Sequence, residues 1–195
     1  KDLAWLVLLA PPATVGEETL LRQSEMIGRA GGLSDTQLES SLSFDHAAYD
    51  LVRTQTNSAT LAEKLAQLVK DSQMDAALPP AALENQMRML SSPWFRFFLD
   101  YDPTPALRIL QTPTLALYGQ KDLQVPAKPN LLLIQKSLQD ARNKDFEVRE
   151  LADLNHMFQP SYSGSPAEYQ AIEETFSPVA LQAISDWLLP RVNHK

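Results

Sequence analysis

Strand-length apolar segments that lack polar alternation constrain the fold of this chain most strongly. One such segment covers residues 4–10 (AWLVLLA), and another covers residues 114–118 (TLALY). Runs of this kind are typical of strands in a parallel sheet whose two faces are both covered by helices. A third segment, residues 146–151 (FEVREL), alternates more clearly and is predicted to lie at a sheet edge. The sequence therefore predicts an α/β protein.

Helical periodicity between and after these strands is consistent with a parallel sheet. A helix predicted over residues 130–138 separates the second and third strands, so residues 113–151 form a strand–helix–strand unit with a right-handed crossover. Ser177 and Pro178 supply a cap and a first-turn proline for a final amphipathic helix. The apolar positions that repeat at helical spacing in this last helix are Leu181, Ile184, Trp187 and Leu188.

The long segment between the first and second strands contains helix signals and no strand signal. A helix over residues 17–30 is predicted to end at residues 31–32 (GG), where glycine can adopt the left-handed conformation. Residues 34–37 (SDTQ) resemble a capping box and open a second helix. Ser58 is predicted to cap a third helix, and residues 79–80 (PP) are predicted to begin a fourth. The segment is therefore a helical insertion.

These patterns divide the chain into three parts. Residues 1–12 are predicted to supply one strand of an α/β core, residues 13–103 a helical insertion, and residues 104–195 the rest of the core with two polar turns. In an alternative interpretation, residues 16–103 fold alone as a helical binding domain to which an α/β piece is attached.

Charge and composition exclude several classes of function. The net charge of −7 argues against a nucleic-acid partner, because phosphate binding needs a surplus of lysine and arginine. The absence of cysteine excludes disulfides, thiolate metal sites and a cysteine nucleophile, and three scattered histidines show no metal-ligand spacing. The apolar segment at residues 3–10 is too short to span a bilayer. No metal site, nucleic-acid partner or membrane span is therefore predicted.

Two polar turns carry the residues with the clearest chemical pattern. Asp122 lies in the turn that leaves the second strand, and His156 lies in the turn that leaves the third. Because parallel strands end at one edge of a sheet, we expect both side chains to lie close together. Acid followed by histidine on strand-exit loops is the chain order of the last two members of a Ser…Asp…His triad. We therefore predict His156 as the general acid/base and Asp122 as the carboxylate that orients it.

A nucleophile for this pair is not recognisable in the sequence. No Gly-x-Ser-x-Gly pentapeptide occurs, although a nucleophilic serine of this type sits on a strand-to-helix turn flanked by glycines. The other serines considered are predicted to be cap or loop residues: Ser91, Ser92, Ser161, Ser163 and Ser165. The nucleophile is therefore expected to lie outside these 195 residues.

Non-catalytic interpretations exist for each of these side chains. His156 could be a polar loop residue, and Asp122 could serve only to form its turn. Asp153, three residues before His156, is predicted to form a turn. The alternative is that Asp153, and not Asp122, orients the histidine. His46, inside a helix, and His194, at the C-terminus, are predicted to be solvated.

Residues 94–101 concentrate aromatic side chains just before the second strand. They have two interpretations. In the first, they pack in a core between the helical insertion and the α/β body, because aromatic side chains bury large areas. In the second, they line the mouth of an acyl or aryl pocket, which would be mostly apolar. The side chains predicted to contact substrate are Trp94, Phe97, Phe98 and Tyr101.

With both turns in place, the chain resembles the C-terminal part of an α/β-hydrolase of the esterase and serine-peptidase-like type, with a helical cap inserted after the sixth strand. Residues 6–11 (LVLLAP) look like that sixth strand. Residues 113–122 look like the seventh strand and acid turn, and residues 154–158 (LNHMF) look like the histidine loop. Asp153 departs from the family pattern, since a glycine is common before the histidine turn.

The resemblance implies a serine hydrolase that cleaves carboxylic esters or related acyl bonds of a small-molecule substrate and uses no cofactor. It also implies that the earlier strands, the oxyanion loop and the nucleophile belong to sequence before Lys1. Because a buried-type strand opens the chain, we expect it to be truncated. We expect the isolated chain to be insoluble or to associate with an N-terminal fragment of the same protein. The alternative is a non-catalytic module that uses this fold, with the helical segment as its binding surface.

Overall fold

The computed structural model describes residues 3–72 and 80–193. Two compact units are formed: a sheet unit, comprising Lys1–Thr14 and Asp102–Lys195, and a helical unit, comprising Val15–Tyr101. In chain order the elements are β1 (Leu6–Leu9), α1 (Gly16–Ala30), α2 (Asp35–Thr54), α3 (Ser58–Asp71), α4 (Pro80–Leu90), α5 (Pro93–Asp100), α6 (Thr104–Leu107), β2 (Thr114–Gly119), α7 (Ala127–Asp140), β3 (Phe146–Leu151), a 3₁₀ helix (Pro166–Ala171) and α8 (Pro178–Asn193). Within the described ranges, no helix is both long and apolar enough to cross a membrane.

The sheet unit is built on a three-stranded parallel sheet with the order β1-β2-β3. Leu6 of β1 is in register with Thr114 of β2, which is in register with Phe146 of β3. Every residue of the central strand β2 is buried. β1 is instead half-buried, and Leu9 is 45% exposed, because within the described residues β1 pairs with β2 alone. The predicted strands and the parallel α/β architecture are confirmed, and burial on both faces is confirmed for β2 only.

Helices α7 and α8 contribute to the core of the sheet unit. The predicted helix over residues 130–138 lies inside α7, and the N–H of Val179 donates to the Ser177 hydroxyl at the start of α8. The apolar positions assigned to the core on α8 are partly wrong, since Leu181 is 53% exposed. The buried face runs instead through Ala180, Ala183 and Trp187. Ile184 and Leu188 also pack against this core, so Leu181 is the one predicted position that does not. Ala180 and Ala183 are small residues that a hydrophobic pattern marks weakly.

The helical unit has a separate core between its helices. Its buried members are Phe44, Ala48, Tyr49, Val52, Leu61, Leu65, Val69, Leu90, Phe95 and Leu99. The predicted capping box is present, because Ser34 and Gln37 exchange side-chain to backbone hydrogen bonds at the start of α2. Gly32, just after α1, has the left-handed backbone expected of it, with φ of 83°.

One predicted cap is wrong by a single residue. The α3 cap is Asn57, whose side-chain oxygen accepts a hydrogen bond from the N–H of Thr60 at 3.0 Å, and Ser58 is the first residue of the helix. Asparagine is as good a cap as serine, so adjacent cap residues leave the boundary ambiguous in the sequence. The predicted start of the fourth helix at residues 79–80 falls partly outside the described residues, within which α4 begins at Pro80.

Candidate active site

The structure brings Asp122 and His156 into direct contact. Nδ1 of His156 lies 2.9 Å from Oδ2 of Asp122, although the two residues are 34 positions apart in the chain. Asp122 is in the turn after β2, where its N–H donates to the carbonyl of Gly119 at 3.1 Å. His156 is in the loop after β3. The expected proximity of the two strand-exit residues is therefore observed.

Asp122 is fixed by backbone groups as well as by the histidine. Its side chain is fully buried, and its Oδ1 accepts hydrogen bonds from the N–H groups of Gln124 and Val125, each at 2.8 Å. Through these two bonds Asp122 forms its turn, which is the non-catalytic role that the sequence also allows. Because they use one carboxylate oxygen, the other remains for His156. The two interpretations of Asp122 are therefore compatible in one geometry.

The loops approach closely because the end of β2 is a glycine. A Cβ atom on Gly119 would lie 2.3 Å from the carbonyl oxygen of Leu154 and 2.5 Å from that of Asn155. Both distances are far shorter than van der Waals contact, and the clashing atoms belong to the backbone. The N–H of Lys121 then donates to the Leu154 carbonyl at 2.9 Å. Gly119 thus permits the contact that places the acid turn beside the histidine loop.

Asn155 holds the histidine loop from inside. It is completely buried, and its Oδ1 accepts from the N–H groups of Met157 at 2.9 Å and Gln159 at 3.0 Å. Its Nδ2 donates to Oε1 of Gln159 at 3.1 Å. These bonds determine the path of the backbone on both sides of His156. The sequence analysis missed this role, although an asparagine that directly precedes a functional loop residue is a recognisable turn signal.

The carboxylate contact defines how His156 can act. An ionised carboxylate can only accept hydrogen bonds, so Nδ1 of His156 carries the proton and Nε2 has a free lone pair. The imidazole side chain is 28% exposed, which leaves it accessible to a reacting group. In the described part of the chain no hydroxyl is hydrogen-bonded to this ring. The arrangement can therefore accept a proton at Nε2 and stabilise the resulting imidazolium.

The rival acid is engaged elsewhere. The carboxylate of Asp153 forms an ion pair with Nζ of Lys121 at 2.8 Å. The backbone of Asp153 is left-handed, with φ of 60°, a conformation that aspartate tolerates better than most residues. This explains how an aspartate occupies a turn position where glycine would be the usual choice. The contact with His156 belongs to Asp122.

A second carboxylate organises the segment that follows the histidine loop. Glu168 accepts hydrogen bonds from the hydroxyls of Ser161 and Ser163, and from the N–H groups of Tyr162 and Ser163 at 3.0 and 2.9 Å. The hydroxyl of Ser161, followed by that of Ser163, lowers the pKa of Glu168 to about 2. These serines are therefore loop residues, as predicted, and their hydroxyls are occupied.

This loop is also fastened to the acid turn. A Cβ atom on Gly164, whose φ is 81°, would lie 1.9 Å from the carbonyl oxygen of Lys121. Nζ of Lys121 in turn donates to the carbonyl of Ser161 at 2.8 Å. The Glu168 loop, residues 160–171, consequently supports the turn that carries Asp122. The sequence analysis missed Glu168, whose partners are identified only by the folded loop.

The remaining candidate serines have structural roles. Ser92 caps α5 by accepting a hydrogen bond from the N–H of Phe95 at 3.1 Å. Ser165 accepts from the N–H of Ala167 at 3.3 Å, at the start of the 3₁₀ helix. Both are caps, as predicted.

The aromatic side chains predicted to bind substrate lie on or next to α5. Trp94 stacks on Phe98 with ring centroids 5.1 Å apart, and Phe97 lies 5.2 Å from Tyr101. Trp94 is 61% exposed and Phe97 is 64% exposed, whereas Phe95 is the ring that enters the core of the helical unit. Trp94 and Phe97 are therefore not part of the core of the helical unit, and neither interpretation of these rings is decided. Their contact with substrate stays a prediction.

The structure describes one further histidine, which lies in the helical unit. His46 is exposed, as predicted, and its Nδ1 lies 3.5 Å from Oε1 of Glu17. His194 lies outside the described residues. Across the described ranges, no group of three or more histidine, aspartate or glutamate side chains is arranged to hold a metal ion.

Comparison with known proteins adds no relative. No protein-family model, curated protein or solved structure gives a significant match to this chain. The α/β-hydrolase resemblance therefore gains no support from a related protein. The residues and the geometry described above are its whole basis.

Proposed function

We propose that Asp122 and His156 are the acid and the base of a serine hydrolase that cleaves carboxylic esters or related acyl bonds. The observation that carries this proposal is the 2.9 Å contact between Nδ1 of His156 and a fully buried carboxylate oxygen of Asp122. The nucleophilic serine lies outside these 195 residues, because the sequence contains no nucleophile elbow.

The proposed reaction uses both sides of the imidazole ring. Nε2 of His156 takes the proton of the serine hydroxyl as the oxygen attacks the carbonyl carbon, and it then returns that proton to the leaving alkoxide. A water molecule repeats the two transfers and releases the acid product and the free serine. Asp122 stays ionised throughout and stabilises the imidazolium. No cofactor takes part.

The fixed position of Asp122 favours this function over a purely structural one. Its hydrogen bonds from Gln124 and Val125 hold the carboxylate in place before any proton moves. A group that does not have to reorganise when charge develops nearby contributes more to catalysis than a mobile one. A turn-forming aspartate needs only the backbone bonds, and it gains nothing from a half-exposed histidine on its second oxygen.

The open edge of β1 supports a proposal about the partner of this chain. Within the described residues β1 pairs with β2 alone, so the backbone groups on its other edge are free to pair with a further strand. We assign this edge to an N-terminal fragment of the same protein, which would carry the nucleophile and the oxyanion donors. In the same proposal, the aromatic side chains of α5 contribute apolar surface to acyl binding.

Ester hydrolysis by a longer protein tests this assignment. The protein that includes the sequence before Lys1 is tested on a panel of p-nitrophenyl esters, together with His156→Ala and a control, His46→Ala. We expect His156→Ala to lower kcat by on the order of 10⁴-fold or more, and the exposed His46 to be dispensable. Equal hydrolysis by the native protein and His156→Ala would refute the proposal. A preceding sequence without a Gly-x-Ser-x-Gly serine would favour the non-catalytic module.

A further inference from the structure

The helical unit contains a cavity that the proposed hydrolase chemistry does not use. Its volume is about 370 Å³, and it lies among α1, α2, α4 and α5. Most of its wall is apolar, and the largest contributors are Leu20, Ile27, Phe44, Met89 and Phe95. Cavities of this size and composition are typical of sites for small organic molecules.

One charged side chain lines this cavity. It belongs to Asp45, in the middle of α2, and the described residues place no lysine, arginine or histidine in the wall. Oδ2 of Asp45 is buried and receives no hydrogen bond. A buried carboxylate oxygen without a donor is unfavourable, because it has lost its hydration and gained no replacement. The cavity is therefore lined by a carboxylate whose hydrogen bonding is incomplete, beside a largely apolar wall.

We propose that this cavity binds an apolar organic cation, a hydrocarbon or aryl group that carries a protonated amine. The ammonium group would donate to the carboxylate of Asp45, and the hydrocarbon would pack among Leu20, Ile27 and Phe44. This inference is independent of the hydrolase proposal.

The charges around Asp45 favour a cation over the alternatives. Burial raises the pKa of Asp45, an effect that the Ser24 hydroxyl and His46 oppose. Burial, with the negative charges of Asp45 and Glu17, also raises the pKa of Tyr49, which lines the same cavity. Burial is the largest cause of both shifts, so a negative charge in this wall is poorly hydrated. An anion would add to it, and a neutral alcohol would satisfy the oxygen but leave the charge.

The volume limits the size of the hydrocarbon. A cavity of roughly 150 Å³ accommodates benzene, so the present one has space for an aromatic ring with a short alkyl chain. Three probes, each a phenyl ring on a four-carbon chain, separate the effect of charge from that of apolar contact. They are phenylbutylammonium, phenylbutanol and phenylbutyrate, which carry a cation, a neutral hydroxyl and an anion.

Calorimetric titration of the 195-residue chain with these probes tests the proposal. At neutral pH we expect the ammonium to bind at least about tenfold more tightly than the alcohol, and the carboxylate more weakly than both. The isosteric Asp45→Asn should reduce ammonium affinity by about tenfold and leave alcohol binding unchanged. Glu63→Gln, a charge-matched change at an exposed position of α3, should leave all three affinities unchanged.

The location of binding is a separate readout. Methyl NMR signals of Ile27 and Met89 should shift with ammonium, and the signal of Ile134, in the core of the sheet unit, should not. Absence of binding by every probe, equal affinity for ammonium and phenylbutyrate, or unchanged ammonium affinity in Asp45→Asn would each overturn the proposal. Because these measurements need no ester hydrolysis, their failure would leave the function proposed for His156 unaffected.

Discussion

Each of the two units contains a buried carboxylate oxygen, and the two carboxylates differ in how completely they are hydrogen-bonded. In the sheet unit, Asp122 accepts from two backbone N–H groups and contacts His156. In the helical unit, a buried oxygen of Asp45 accepts from nothing. The first carboxylate has hydrogen-bond partners on both oxygens, and the second has one buried oxygen without a donor. Burial alone therefore does not tell what a carboxylate can do.

The difference follows from the position of each residue in its element. Asp122 is in a turn after a strand, where the N–H groups of the next residues are not used by a ladder. Asp45 is in the middle of α2, where each backbone N–H already donates to the carbonyl one turn earlier. A carboxylate inside a helix therefore depends on side chains or ligands for its donors. The end of a parallel strand is thus the better place for a preorganised acid.

The largest effect expected from this comparison is on catalysis. In the complete hydrolase, Asp122→Asn should lower kcat by about 10⁴-fold with little change in KM, because an amide no longer fixes the imidazole tautomer. Asp153→Asn is the matched control, since Asp153 pairs with Lys121 and does not contact His156. It should change kcat by no more than a few-fold. Equal losses in the two variants would show that His156 is not oriented by Asp122.

The second effect concerns the support of the histidine loop. Asn155→Ala should lower the free energy of unfolding by about 3 kcal/mol, because the buried N–H of Gln159 and the partly buried N–H of Met157 lose their acceptor. Asn57→Ala removes an exposed helix cap and should cost only about 1 kcal/mol. Urea denaturation of both variants measures the difference. Similar midpoints would indicate that the Asn155 bonds are replaced by water.

Much of the sheet unit was predictable because its signals are local. Apolar runs marked the strands, and the common edge of parallel strands predicted that Asp122 and His156 would meet. In the helical unit, by contrast, the cap of α3 was predicted at Ser58 and is found at Asn57, because the two adjacent residues have nearly equal cap propensities. The roles of Asn155 and Glu168 were missed because they depend on donors that only the folded loops bring together.

The helical unit was predictable in its elements and less so in its interior. Its capping box was readable from four adjacent residues, and its apolar positions repeat at helical spacing. The environment of Asp45 depends on side chains from four helices, which no periodicity of one helix reveals. The exposure of Trp94 and Phe97 likewise depends on which face of α5 packs. Sequence patterns identify a helix more readily than the contents of the space between helices.

The third effect has the opposite sign to the second. Asp45→Asn should raise the free energy of unfolding by about 1 kcal/mol at neutral pH, because it removes a buried charge with one oxygen that receives no hydrogen bond. The raised pKa of Asp45 determines the pH window. Below the ordinary aspartate pKa the residue is neutral in both states and has no penalty. As pH rises through the raised folded value, the native protein loses stability relative to the variant.

Urea midpoints of native protein and Asp45→Asn across this pH range check the sign. The difference between them should vanish in acid and reach its maximum at neutral pH. Glu63→Gln should show no such dependence, since Glu63 is exposed. A variant less stable than the native protein at neutral pH would mean that Asp45 has a donor, which would also weaken the case for a cationic ligand.

The smallest effect tests whether donors or burial determine the pKa of a carboxylate. Glu168 lies at the surface, yet the Ser161 and Ser163 hydroxyls and two N–H groups lower its pKa to about 2. The bonds therefore stabilise the loop above the ordinary glutamate pKa, and this contribution is lost as pH falls through about 2.

Glu168→Gln should speed hydrogen exchange at the amides of Tyr162 and Ser163 without a measurable change in global stability. Glu173→Gln, at an exposed position nearby, should leave both amides unchanged. Unchanged exchange in Glu168→Gln would mean that Gly164 and Lys121 hold the loop alone, and that a full set of donors can shift a pKa without ordering the backbone.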